Sequence, residues 1–383
     1  PHYNDSLAWR LQLYCWSGFD PVMQGALAAY AQAWCLYVWV PAIDFLLLGG
    51  QGAVDAKPLG LGDVFLLPLA LAGACFASVA GGKNSLPLLR CAHGIKLLMF
   101  FLRMPMVWDH ECWAALTEVS FLVTCQTTEA TSISRFWSLA RAQLLLLYAS
   151  AAWWKLNTSF LDPRTSCGTV ILVQLLSTYV PEALAEEVAP LVVRMAPILG
   201  LLGEASIAFF LWLMPKVGTL SALMFHLLVL MCPAPNFAGG FSTSCAARLM
   251  LILPVEAAVH CNALSHWVPL GAALLAALLP SAAAGAYGAL MIMTLQGLLQ
   301  TNSGGGTGGG AWKVTEGLGF DCVQWVVLMV TFLYAFLLPV LGLQHMASCS
   351  MYANLKHYGG SNHLLVPTGL LQDWFHHDSA SAF

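Results

Sequence analysis

The chain has 383 residues, of which 59% are hydrophobic and only 9% charged, and its mean hydropathy is +0.73. That balance lies outside the range of ordinary soluble domains and points to an all-α, polytopic helical membrane protein. Nineteen acids against fifteen bases give a net charge of −4 with no basic footprint or polybasic tail, which sets nucleic acid aside as a partner.

A bilayer-spanning helix needs ~20 mostly apolar residues, and by that measure the chain carries roughly eight to ten hydrophobic segments, expected in one bundle with a short polar tail. Residues 1–22 read as an N-terminal amphipathic, interfacial segment, with Leu7, Trp9, Leu11, Leu13 and Trp16 supplying apolar area. No secretory signal pattern stands there, and an organellar membrane is compatible with the sequence. The first strong span is "QGALAAYAQAWCLYVWVPAIDFLLLG" (24–49).

The next apolar stretch, "LPLLRCAHGIKLLMFFLRMPMVW" (86–108), carries Arg90, His93, Lys96 and Arg103. At helical spacing His93, Lys96 and Arg103 share one broad face, with Arg90 a turn earlier. A basic stripe of this kind has to meet protein, water or an anion rather than lipid tails. Glu118, Glu204 and Glu256 lie in apolar surroundings and are candidates to neutralise it; the alternative is an anion or lipid-headgroup pocket.

"RFWSLARAQLLLLYASAAWWK" (135–155) is the next span. Arg141, Tyr148 and Lys155 recur every seven residues along it, drifting by only about 20° per step, so they share a face. With Arg90, His93, Lys96, Arg103 and Glu204 they form the lipid- or anion-binding candidates. Lys155 has two readings: a terminal lysine that snorkels to the headgroups beside Trp153 and Trp154, or an amine in a dry pocket, where desolvation favours the neutral, basic form.

Glu204 interrupts the span "APLVVRMAPILGLLGEASIAFFLWLMP" (189–215), and His226 interrupts "LSALMFHLLVLM". Each is either a hydrogen-bonded core residue or a ligand or proton-transfer group. The twelve cysteines form no CxxC pair or regular framework. "TNSGGGTGGGAWKVTEGLG" (301–319) reads as a Gly-rich extramembrane loop, residues 320–343 as the final transmembrane helix, and residues 344–383 as a polar C-terminal tail. His376 and His377 have no third ligand at a suitable spacing, so no metal site is expected. P-loop, dinucleotide-binding, zincin and nucleophile-elbow motifs are absent.

The stretch "LLLYASAAWWKLNTSFLDPRTSCG" resembles the signature of the horizontally transferred transmembrane (HTTM) domain family, in which an apolar helix ends in a lysine-leucine-asparagine turn. "RMPMVWDHECWAALTEVSFLV" (103–123), the Phe225–His226 pair and "SMYANLKHYGGSNHLLVP" (350–367) are similar to further family stretches, in the same order. The resemblance implies an HTTM-like membrane domain over residues 23–300. It also implies a distant relation to vitamin K-dependent gamma-glutamyl carboxylase, a membrane enzyme that couples quinol oxidation to glutamate deprotonation and carboxylation. By that resemblance Lys155 corresponds to the proposed catalytic base, His226 to a histidine of the membrane core, and His110, more loosely, to a further catalytic histidine. The short tail leaves no counterpart to the carboxylase's large lumenal region, so peptide carboxylation is not expected.

The expectation is therefore an HTTM-like integral membrane protein whose polar intramembrane cavity, lined by Arg103, His110, Lys155, Glu204 and His226, holds a lipid or quinone-like molecule. The alternative is a non-catalytic subunit of a larger photosynthetic or respiratory complex, with membrane lipids, other subunits or pigment against its aromatic and histidine-bearing flanks (His93, His226, His260). A transporter is a third class, without internal repeats to support it.

Overall fold

The computed structural model describes residues 21–47, 85–104, 107, 109–127, 129–233, 238–261, 265, 267–279, 281–301, 320–337 and 363–366. The expected interfacial segment up to residue 20, the glycine-rich loop from residue 302, and all of the tail except 363–366 lie outside the described residues, as do His376 and His377.

Among the described residues the chain is helical, with no strand. The helices are α1 (Pro21–Leu47), α2 (Ser85–Arg103), α3 (Asp109–Thr124), α4 (Ala130–Trp154), α5 (Thr158–Leu161), α6 (Cys167–Tyr179), α7 (Glu182–Leu213) and α8 (Pro215–Leu230). They continue with α9 (Ala238–Leu249), a 3-10 turn at Met250–Ile252, α10 (Val255–Ala258), α11 (Trp267–Leu278), α12 (Ala282–Gln300) and α13 (Cys322–Phe332). The helices gather into two compact units, where the sequence suggested one bundle.

The first unit comprises α1, α2, α9 to α12, α3 from Ala114 and α4 up to Arg141. Its core is aromatic: Tyr30 stacks on His93 with centroids 5.8 Å apart and meets Phe136 edge-on at 5.0 Å, while Phe121 lies 4.4 Å from His93. Offset and edge contacts of this kind add to the gain from burial. α11 and α12 pack through glycines. A Cβ on Gly288 would strike the Gly271 carbonyl oxygen and lie 2.9 Å from its carbon, so the backbones meet at a distance that only small residues allow. Pro254 follows the 3-10 turn and lacks an N–H, and here Arg141 supplies donors: its Nε reaches the Leu251 carbonyl at 2.8 Å and its Nη2 the Leu253 carbonyl at 2.6 Å.

The second unit contains α5 to α8, the start of α3, α4 from Ala142, α13 from Trp325 and the 363–366 turn. Gly218 lets α8 fold back against the end of α7, since a Cβ there would strike the Leu211 backbone and lie 2.6 Å from the Phe210 carbonyl carbon. Pro215 opens α8 at its first turn, where a missing N–H costs nothing. α13 widens at its end into a π turn, Leu333–Leu337. The Ala335 carbonyl in that turn accepts the indole N–H of Trp154 at 2.8 Å, which satisfies a backbone group that a wider turn presents to a neighbour.

Among the described residues two helices, α7 and α12, are long and apolar enough to cross a membrane. α7 buries one narrow stripe, Pro197, Glu204, Ile207 and Leu211, at helical spacing. Leu191, Met195, Leu199, Leu202, Phe209 and Trp212 of the same helix are exposed, and only 28% of its most apolar window is buried. A surface helix of a water-soluble protein places polar residues outside; here Glu182, Glu186, Glu187 and Arg194 are exposed in the first half of the helix, but from Met195 to Leu213 the outward face is as apolar as the inward one.

Candidate functional site

The end of α4 is where local sequence, capping and charge converge. Trp154 is the last helical residue, and the Lys155, Leu156 and Asn157 amides turn back to the Ala152, Trp153 and Lys155 carbonyls at 3.2, 3.0 and 2.8 Å. Asn157 serves two helices. Its Nδ2 donates to the Trp154 carbonyl at 2.6 Å, and its Oδ1 accepts the Phe160 N–H at 2.8 Å, capping α5. An asparagine suits a helix-stop followed at once by a helix-start, because its amide can donate from Nδ2 to the first helix while Oδ1 accepts from the second.

This turn aims Lys155 inward. Its Nζ donates to Glu204 Oε2 at 2.6 Å, the two side chains being 4% and 9% exposed, and it lies 5.5 Å from the centroid of the Phe160 ring. The snorkelling geometry considered for Lys155 is not the one found, and neither is a lone amine: desolvation is answered by a carboxylate rather than by solvent. Glu204, one of the acids considered as partners for the basic stripe, is instead the partner of Lys155.

About two helical turns earlier on α4, roughly 10 Å along the axis, the Tyr148 hydroxyl and His226 Nε2 of α8 are 2.7 Å apart and fully enclosed. Two buried polar pairs thus lie along one face of α4, one reaching α7 and the other α8.

The 363–366 turn closes over the lysine turn. The Leu364 N–H donates to the Leu156 carbonyl at 2.8 Å, within an isolated antiparallel bridge between Asn157 and His363. His363 Nδ1 accepts the N–H groups of Leu365 and Val366, each at 3.1 Å, which leaves Nε2 as the protonated nitrogen that donates to the Trp153 carbonyl at 2.9 Å. The "KLN" turn therefore meets His363 and Leu364, the second half of the family-like "SNHL" stretch.

The remaining candidates are distributed elsewhere. Arg141 is tied to main-chain carbonyls in the first unit. Arg90 donates to the Gln126 and Leu122 carbonyls at 3.2 and 3.4 Å, Lys96 sits 5.9 Å over the Tyr37 ring, and Arg103 is half-buried at the end of α2. His93 has no exposed surface, and its ring is enclosed by Tyr30, Trp34 and Phe121, so the stripe does not present four bases to one ligand. His110 opens α3, 3.8 Å from the Asp109 carboxylate, with no hydrogen bond or ion pair to Lys155, Glu204 or His226.

Sequence pattern alone does not single out Asn157, Phe160, His363 or Arg248 as site residues. Asn157 and His363 stand within the family-like motifs; Phe160 and Arg248 carry no separate signal. Among the described residues no group of three or more His, Cys, Asp or Glu is arranged to hold a metal ion. No protein-family model, no curated protein and no solved structure matches this chain.

Proposed function

We propose that the chain is a multi-pass membrane protein of the HTTM type that handles protons for a lipid or quinone-like molecule at the Lys155–Glu204 pair. The observation that carries the reading is that ion pair, 2.6 Å long and nearly sealed from water, in a unit whose longest helix is apolar on its outward face from Met195 to Leu213. Intramembrane ionisable groups are costly and are retained where they pair for function. In the resting pair the proton resides on Nζ and the carboxylate carries the negative charge. Moving that proton across the hydrogen bond to Glu204 leaves a neutral amine and a neutral acid, and the amine can then accept the proton of an acidic O–H. Tyr148 and His226 form a second donor–acceptor pair on the same face of α4 and extend the polar path toward α8.

The test is to extract the small molecules that purify with the full chain from its native membrane, comparing wild type with Lys155→Met and Glu204→Leu. A hydroxy-aromatic or lipid species recovered near one per chain with wild type and lost from both variants is the expected result. Wild-type protein carrying only bulk lipid in bulk proportion overturns the proposal.

The alternative, a subunit of a larger membrane complex, draws on the exposed Phe209, Trp212 and Trp325, which other helices could cover as well as lipid. Constant stoichiometric company on a native gel of gently solubilised membranes supports that reading, and migration alone opposes it.

A further inference from the structure

The first unit holds a narrow cleft, about 270 Å³ of empty space when its open mouth is counted, which admits only a group about the size of one water molecule between its walls. It is walled by Tyr30, Trp34 and Tyr37 of α1 and reaches Thr117 and Glu118 of α3 and Arg248 of α9. None of the residues of the Lys155 site lines it. Arg248 is 6% exposed, and its bonds run back into its own helix: Nε donates to the Ser244 carbonyl at 3.0 Å, and Nη2 to the Ser244 hydroxyl at 3.0 Å and to Cys245 Sγ at 3.7 Å. Among the described residues this guanidinium forms no ion pair, and its Nη1 has no acceptor. The Glu118 carboxylate borders the same cleft but accepts the Trp34 indole N–H at 3.3 Å rather than pairing with Arg248.

A guanidinium that is always charged and buried without a counter-charge is strongly unfavourable unless an anion meets it. We infer that Arg248 is the anchor of a binding site for an oxyanion, one oxygen of which enters the cleft to meet the guanidinium while the rest of the ligand stays at its mouth. The shared chemistry is a phosphodiester or carboxylate oxygen, supplied either by an anionic lipid headgroup or by a small free anion. Arginine suits the task better than lysine, since its fork leaves Nη1 free to donate while Nε and Nη2 are held by Ser244.

The experiment monitors the thermal midpoint of the full chain in neutral detergent, by tryptophan fluorescence, as phosphatidylglycerol, phosphatidylcholine, acetate or inorganic phosphate is added. Wild type is expected to respond to phosphatidylglycerol with roughly tenfold higher apparent affinity than to phosphatidylcholine. Arg248→Gln is expected to lose that preference, and Arg248→Lys to keep part of it. If acetate or phosphate raises the wild-type midpoint and phosphatidylglycerol adds nothing, the source is a free small anion and the assignment of Arg248 stands. Should Arg248→Gln fail to fold, Ala247→Leu, which fills the cleft and leaves the guanidinium in place, is expected to abolish the same response. A wild-type midpoint indifferent to every anionic probe overturns the site, as does an unchanged anion response in Arg248→Gln or Ala247→Leu.

Discussion

Replacing Glu204 with glutamine removes one charge from a pair whose side chains are 4% and 9% exposed. Breaking a buried pair by removing one partner costs about 3–5 kcal/mol, because the remaining charge stays desolvated. Two features soften the loss. The glutamine carbonyl can still accept the Nζ proton, and the Phe160 ring, 5.5 Å from Nζ, retains a cation–π contribution of about 1 kcal/mol. The net expectation is about 2–3 kcal/mol of destabilisation for Glu204→Gln. The apolar double variant, Lys155→Met with Glu204→Leu, should return to within about 1 kcal/mol of wild type, since neither charge then remains to be solvated. A double-mutant cycle over Lys155→Met and Glu204→Leu, measured by denaturant unfolding in mixed micelles with tryptophan fluorescence, gives the coupling directly. A loss below about 0.5 kcal/mol for Glu204→Gln, together with additive singles, refutes the reasoning, because it means that the pair is either solvated or not formed.

Gly218→Ala is expected to destabilise the second unit by more than the ordinary Gly-to-Ala gain of helix propensity, roughly 1 kcal/mol, because the added methyl meets Leu211 and Phe210 backbone; a stabilised variant in the same unfolding assay contradicts the close approach of α7 and α8. His363→Ala removes the acceptor for two amides and the donor to Trp153, so hydrogen exchange at Leu364, Leu365 and Val366 should accelerate while α12 is unaffected; unchanged protection there dissociates the 363–366 turn from α4. Burial pushes the Cys125 thiol up to about 12 from its ordinary 9.0, so at pH 9 it stays protonated and should resist N-ethylmaleimide in the folded protein. The exposed Cys91 and Cys322 should label under those conditions, and labelling of Cys125 at a comparable rate, located by peptide mapping, counts against its enclosed position.

Periodicity carried the architecture further than it carried the site. The span expected at 189–215 lies on α7, and the one at 135–155 on α4 and the residue after it, because runs of apolar residues in both cases exceed what one helix face can bury. The position of Lys155 just past a helix end was also visible, as the turn "KLN" after an unbroken apolar run. Its partner was not. Glu204 and Lys155 are forty-nine residues apart, and nothing in either local pattern says which of several acids a buried lysine meets; packing of α7 against the turn decides it. The seven-residue recurrence of Arg141, Tyr148 and Lys155 placed them on one face of α4, but the destinations of their polar groups differ: main-chain carbonyls, a histidine and a carboxylate. Likewise the basic stripe of α2 looked uniform as a string of charges, whereas His93 enters an aromatic core and Arg90 reaches backbone carbonyls. A single arginine in "STSCAARLM" resembles any helix-terminal base, and only its surroundings in three dimensions show that it forms no ion pair among the described residues.

The π turn at Leu333–Leu337 sets a constraint on how this segment can change length. Relative to an α-helix it accommodates one surplus residue, so the end of the turn is rotated by about 100° from where an uninterrupted helix would put it. Deleting any one residue within 333–337 would let the helix regularise and withdraw the Ala335 carbonyl from the Trp154 indole. Insertions and deletions should therefore be tolerated before Cys322 long before they are tolerated in this five-residue window. A chain that lacks a tryptophan at the position of Trp154 is the one in which such a deletion should first be found.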